Sequence, residues 1–206
     1  MQQCIIKAER EGLVVRRGES WADLQQFYHL HVETRRRLGA PVQPRRFFEQ
    51  LWEQVLAPGI GFVLVATHGQ VPVASAVFLA WNGTLVYKYS ASDFRYWGLR
   101  PNNLVLWTAI RWGCGTDFHT VDFGRTDMDN LGLRQFKNGW GTQERLLAYS
   151  TLPRRATTDR GNPARTMPGH LARGLTGGRG VLASMIRRSP SWVCRTIGEL
   201  FYRYAA

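Results

Sequence analysis

Apolar and polar positions along the chain change period several times, and each change marks an element. Leu13–Arg17 reads as a short strand. Ser20 with Asp23 makes a capping-box-like start, after which Trp21, Leu24, Tyr28, His31 and Val32 recur at helical spacing up to a stop near Gly39, ahead of Pro41. A second helix is predicted from Pro44, with Phe47, Phe48, Leu51, Trp52 and Val55 on one face, ending before Pro58-Gly59. The texture then turns β-branched and aromatic over Gly61–Thr67, Val71–Trp81 and Thr84–Ser90. His68-Gly69-Gln70 separates the first pair of runs. Asn82-Gly83 separates the second and is a strong two-residue hairpin signal, so the three runs form an antiparallel meander.

Beyond a loop at 91–101, Asn102 or Asn103 caps a helix carrying Leu104, Trp107, Ile110 and Cys114. A strand at Thr120–Phe123, a short helix around Leu131–Asn138 and a last strand at Arg145–Tyr149 follow. A helix between two strands favours a right-handed parallel crossover, so the strand at 84–90 is expected parallel to that at 120–123 in one mixed sheet. The fold class predicted is α+β, a mixed α/β sheet flanked by helices. Residues 151–170, rich in Pro, Thr, Arg and Gly, read as a linker. Val181–Arg188 and Trp192–Tyr204 read as amphipathic helices, the second with Val193, Ile197, Leu200, Phe201 and Tyr204 in register.

Composition sharpens this picture in three ways. The 206 residues fit one domain with an appendage, and eight tryptophans with a hydrophobic fraction of 44% supply a core. The net charge of +12 is uneven. Residues 151–206 hold ten arginines against Asp159 and Glu199, a net of +8, which leaves +4 for the first 150 residues. Such a tail is either a solvated basic segment or a contact for an anionic partner such as RNA, nucleotide or lipid headgroups. Cys4, Cys114 and Cys194 lie far apart without metal-like spacing, which argues against a disulfide framework or a zinc site. No run approaches the roughly 18 apolar residues of a membrane span, and MQQCIIKAER has no secretory apolar region. A cytoplasmic location is expected, with the tail peripheral at the inner face of the membrane.

Several chemical readings fail on the residues themselves. Asp122-Phe123-Gly124 invites a kinase, but no H-R-D loop or strand lysine with a glycine-rich loop accompanies it. Thr176–Gly180 lacks the lysine of a nucleotide-binding loop. His29 and His31 do not share a helical face, so they are not a metal pair, and no metal site is expected.

Four motifs carry a family resemblance. YKYSASD at 87–93, RPNNLVLWTAIRW at 100–112, DFGRT at 122–126 and GLRQFKNGWGTQE at 132–144 stand in the order found in Fem-type proteins of the GNAT acyltransferase superfamily. With the element order, the resemblance covers roughly residues 5–150. It implies a single GNAT-like acyltransferase domain over 13–150, preceded at 1–12 by the remnant of a helix or linker and followed at 151–206 by a basic, partly helical tail. Fem-type proteins usually carry two GNAT-like halves, and this chain resembles the second. The opening IIKAEREGLVVR is similar to the end of a first half, which implies that Met1 stands inside a longer ancestral protein and that a first half is missing.

The activity implied is N-acyl transfer to an amine of a peptidoglycan or exopolysaccharide precursor, with no tightly bound cofactor and with aminoacyl-tRNA or acyl-CoA as donor. The rival is a non-catalytic half-protein holding RNA or an anionic lipid-linked precursor. In the resemblance the turn Arg95–Arg100 meets the donor's phosphates, with Arg95, Gly98, Arg100 and Asn102 as contacts; Arg100 stands where a small residue is expected, which suits tRNA better than coenzyme A. Arg125 and Phe136 complete the donor-binding set, the Phe136-Lys137 pair facing the donor's acyl or RNA end. Lys137 would stabilise the oxyanion or grip a phosphate, or else is a surface lysine at a helix end. Asp122 is the candidate base if burial raises its pKa from about 3.9, or else it pairs with Arg125 to pin the strand's exit. Alternation puts Tyr87 and Tyr89 on one face of their strand and Lys88 on the other. Tyr89 is the candidate proton donor to the leaving group, or else packs in the core as strand tyrosines commonly do.

Overall fold

The computed structural model describes residues 1–148, 150 and 183–204. Helix α1 (Gln2–Arg10) leads into strand β1 (Leu13–Gly18). Helix α2 (Trp21–Leu38) begins at a complete capping box: the Ser20 side chain accepts from the Asp23 amide, and the Asp23 carboxylate accepts from the Ser20 amide. It ends at Gly39 in the left-handed conformation. Helix α3 (Arg45–Leu51) widens into a single π turn at Trp52–Leu56. Strands β2 (Gly61–His68), β3 (Val71–Trp81) and β4 (Thr84–Ser92) form the meander. Asn82 and Gly83 both have positive φ, 46° and 69°, as a two-residue hairpin turn requires.

A 3-10 helix (Phe94–Leu99), helix α4 (Pro101–Cys114), strand β5 (Thr120–Asp122) and helix α5 (Leu131–Asn138) follow. Helical residues 183–188 (α6) and Ser191–Tyr204 (α7) lie towards the C-terminus.

The sheet has the order β1-β2-β3-β4-β5 and is antiparallel except for the parallel β4–β5 pair, with Thr84 opposite Thr120 and Val86 opposite Asp122. The mixed sheet and its crossover through α4 are therefore as the sequence predicts. Two cores cover its faces. One holds Phe62, Leu64, Ala76, Phe78 and Leu85 against Leu104, Leu106 and Ala109 of α4, with Ile5 and Ala8 of α1. The other packs Val63, Val65 and Val77 against Leu24, Phe27 and Val32 of α2 and Phe48 of α3.

Two expectations need correction. The last strand, Arg145–Tyr149, is not there: residues 145–148 have no regular structure and Leu146 is 90% exposed. Apolar residues without a sheet face to bury do not hold a strand. Tyr149 lies outside the described residues, as does the linker at 151–170.

The second correction concerns alternation in β4. Val77 pairs with Tyr89 and Phe78 with Tyr87, so Lys88 is an extra residue without an opposite number. This bulge inverts the facing of everything after it. Tyr87 packs in the α1/α4 core and Tyr89 in the α2/α3 core, so the two tyrosines do not share a face.

The C-terminal helices lie against the domain. Ile186 and Cys194 are fully buried in the α2/α3 core, Ile197 packs against it, and Arg36 donates to the Ser189 carbonyl at 3.3 Å. A Cβ on Gly198 would lie 2.0 Å from the Val42 carbonyl oxygen, so only glycine allows this approach. Much of the helix's apolar side thus docks on the domain; Leu200 remains exposed, while the Phe201 and Tyr204 side chains lie outside the described set. No helix of the described residues is long and apolar enough to cross a membrane.

Candidate active site

The site begins where the sheet splits. Strand β4 is nine residues long, but its parallel partner β5 follows it for only three. Past Val86, no strand among the described residues lies beside that edge of β4, which leaves a run of unpaired backbone groups facing a gap. On the far side the chain leaving β5 turns sharply at Gly124, whose φ is 67°. The open end of β4 is nevertheless held rigidly. The Ser92 amide donates to Thr34 Oγ1 of α2 at 3.2 Å. Its Oγ accepts from Trp97 Nε1 at 2.9 Å and from Asn102 Nδ2 at 3.1 Å. Asn102 is thereby a strap between α4 and the strand end.

The loop opposite carries the sequence's most distinctive cation. Lys137 is 8% exposed, and its Nζ donates to the Gly124 carbonyl at 2.8 Å and to the Arg125 carbonyl at 3.4 Å. It is not a surface lysine at a helix end. Burial lowers its pKa, while the nearby Asp122 and Glu144 charges pull it back up. Phe136 beside it packs into the α1/α4 core, with Trp140 edge-on at 6.5 Å. Asp122 is exposed and lacks the burial expected of a base. Its Oδ1 accepts from the Gly124 amide at 2.7 Å, which shapes the turn. Arg125 is an exposed member of the same loop.

The bulge at Lys88 sends Tyr89 towards α2 and α3, among the rings of Phe27, His31, Phe47 and Phe48 at 5.8–6.4 Å. Burial raises its pKa and Tyr202 adds to this, with Arg35 opposing, so the phenol stays protonated at neutral pH. It can give a proton but is a poor base. His31 is the residue that sequence reasoning set aside. It is buried, its Nε2 lies 2.9 Å from Gln43 Oε1, and its Nδ1 has no partner among the described residues. Burial holds its pKa at about 4, so the ring is neutral at pH 7. The available signal was its place on the apolar face of α2, which was read there only as core.

The turn expected to meet phosphate is a 3-10 helix capped by Asp93. Asp93 accepts from the Arg95 amide at 3.0 Å and from the Arg95 guanidinium at 2.9 Å, and these bonds lower its pKa. A Cβ on Gly98 would meet nothing within 4 Å, so backbone is approachable there. Arg100 adopts φ 62° and starts α4. A diphosphate cradle fits this turn poorly, because a carboxylate already engages the amide and the guanidinium of Arg95, and Arg100 carries a side chain where backbone should be bare. A groove of about 510 Å³ lined by Glu9, Val14, Arg111 and Trp112 lies across the sheet, at β1, and contains none of these residues.

The chain belongs to the family of the acetyltransferase (GNAT) domain, whose family model matches residues 1–138. No curated protein matches it. Among solved structures it is similar in fold to FemX, with TM-score 0.62 and 17% identity over 69% of this chain and 53% of FemX. It also resembles the aminoglycoside acetyltransferase AAC(6')-Iy, seen with a bisubstrate analogue of coenzyme A, at TM-score 0.55 and 14% identity over 68% and 99%. A putative acetyltransferase from Agrobacterium tumefaciens has TM-score 0.55 and 17% identity over 68% and 99%. The chain spans about half the length of FemX.

Proposed function

We propose that the protein transfers an acyl or aminoacyl group from an activated ester or thioester to an amine of a peptidoglycan or exopolysaccharide precursor. The observation that carries this reading is the unpaired edge of β4 beyond Val86, facing the loop that Lys137 holds. A donor carbonyl entering the gap would accept from β4 backbone N–H groups, which stabilise the oxyanion as the amine attacks. The C–N bond forms, the C–O or C–S bond breaks, and the amine gives up one proton. Tyr89, protonated and on the α2/α3 side, is suited to return a proton to the leaving group. Asp122, exposed beside the gap, is suited to take the amine's proton through water. Lys137 acts first as a positioning residue, fixing the carbonyls of Gly124 and Arg125. Its remaining N–H is available to a donor oxygen.

On the donor, the occupied Arg95 and the side chain of Arg100 favour an aminoacyl ester on RNA over coenzyme A. The test is a transfer assay on the full chain. Acetyl-CoA and an aminoacylated RNA minihelix are each offered with a diamino-acid-containing lipid-linked precursor, and the product is read by mass spectrometry. Transfer from either donor is expected. No product from both donors, with a folded protein, rejects the enzymatic reading and leaves the anion-binding one.

A further inference from the structure

The 3-10 helix after β4 has a second side that the acyl-transfer reading does not use. In a 3-10 helix residues three apart eclipse one another, so Phe94–Leu99 sort into three ridges. Tyr96 and Leu99 form the inner ridge, packed on the α1/α4 core. Arg95 and Gly98 form another, and there Asp93 neutralises Arg95. The third is Phe94 and Trp97, with Arg100 following the helix as its left-handed cap. Phe94 is 62% exposed and Trp97 43%. Their backbones are spaced by about 6 Å, three residues at roughly 2 Å rise each, close to the separation of two rings with one flat ring between them.

Two contacts show this ridge to be preorganised. The Trp97 indole N–H is tied to Ser92 Oγ at 2.9 Å, which fixes the ring at the end of β4. From α2, the Arg37 guanidinium stands over the same ring at 4.4 Å from its centre. Asp93 is engaged by Arg95, so Arg37 and Arg100 supply the local positive charge. Exposed aromatic rings interleaved with arginines stack bases while pairing their phosphates.

We propose that Phe94, Trp97 and Arg100, with Arg37 over Trp97, form a stacking site for an aromatic base that carries a phosphate. Its role rests on the donor reading above: the base belongs to the nucleotide end of the acyl donor. That chemistry is shared by the nucleotide of coenzyme A and by an unpaired RNA end, and binding experiments separate the two.

The full-chain protein is titrated with adenosine 3',5'-bisphosphate, with a short labelled single-stranded RNA, and with inorganic diphosphate as an anion lacking a base. At least one nucleotide probe is expected to bind more tightly than diphosphate. Trp97→Leu and Phe94→Ser are expected to weaken that probe roughly five- to a hundredfold while leaving diphosphate unchanged, and Trp97→Phe to retain most of the affinity. The probe that loses affinity identifies the source of the base. Phe94→Ser removes an exposed ring and decides the matter if Trp97→Leu fails to fold. Nucleotide affinity no better than that of diphosphate, or unchanged in Phe94→Ser, overturns the site. Acyl transfer is measured alongside. Ring-dependent nucleotide binding without transfer keeps the stacking site and rejects the donor reading; transfer without ring dependence does the reverse.

Discussion

Replacing Asp23 by Asn should destabilise the domain by an amount that vanishes in acid. Asp23 is the side chain around which β1 and α2 are joined. Its Oδ1 accepts from Arg16, and its Oδ2 accepts from the Glu19 amide at 2.9 Å, the Ser20 amide at 3.1 Å and Ser20 Oγ at 2.8 Å. Burial alone would raise its pKa, but these donors together hold it at about 2, against an ordinary 3.8. A folded-state pKa below the unfolded one means stability that is present above pH 3.8 and lost as pH falls towards 2. The shift corresponds to roughly 2.4 kcal/mol, reduced to roughly 2 because the Arg16 side chain is 46% exposed and its share is screened. About half of it, roughly 1 kcal/mol, is gone by pH 3. Urea unfolding of both proteins at pH 7, 5 and 3 measures this directly. The gap should be near 2 kcal/mol at the first two values and about half that at the third. A gap that stays constant down to pH 3 refutes the charge-based account and leaves only lost hydrogen-bond geometry.

The other predictions address the site and the C-terminal helices. Lys137→Met should lower kcat by about 10²–10³ if its remaining N–H meets developing charge, whereas Lys88→Met should cost little; equal small effects in the transfer assay would confine Lys137 to loop support. His31 is neutral when folded, so between pH 6.5 and about 4 the unfolded chain binds the extra proton and stability falls as pH falls. His31→Leu should remove up to roughly 3 kcal/mol of that acid sensitivity, read as a flatter stability profile in the same window. Ending the chain at 152 should lower Tm strongly, because it strips Ile186 and Cys194 from the core. Gly198→Ala should do so more mildly, by pushing α7 off the Val42 carbonyl. Lost vesicle binding without a change in Tm would restore a purely interfacial role for the tail.

What could be read in the sequence was what short-range chemistry decides. Ser20 with Asp23, Gly39 and Asn82-Gly83 each impose one backbone geometry on their immediate neighbours, and each appears where expected. The parallel pairing of β4 with β5 was legible because a helix between strands leaves few topologies. The facing of Tyr89 was not legible, since a bulge is a property of two strands' register and the alternation of Tyr87, Lys88 and Tyr89 reads the same with or without it. The segment 145–148 shows the opposite failure: a strand-like composition with no neighbour to pair with. His31 was passed over because its significance comes from rings that arrive from α3 and β4. Lys137 drew notice as one of only three lysines, but its burial against the Gly124 carbonyl depends on the path of a loop.

The extra residue at position 88 has a consequence for how this gene can change. Because Lys88 has no counterpart on β3, its identity is nearly irrelevant to the sheet, and many substitutions there should pass unnoticed. Its removal should pass as quietly. Deleting that one codon would leave Phe78 opposite Tyr87 and Val77 opposite Tyr89, and plain alternation would keep Tyr89 and Ala91 on the α2/α3 side. Position 88 is therefore permissive to any letter and to a gap, whereas deleting Tyr87 would hand its place opposite Phe78, in the α1/α4 core, to Lys88; a deletion scan reads this contrast more sharply than a substitution scan.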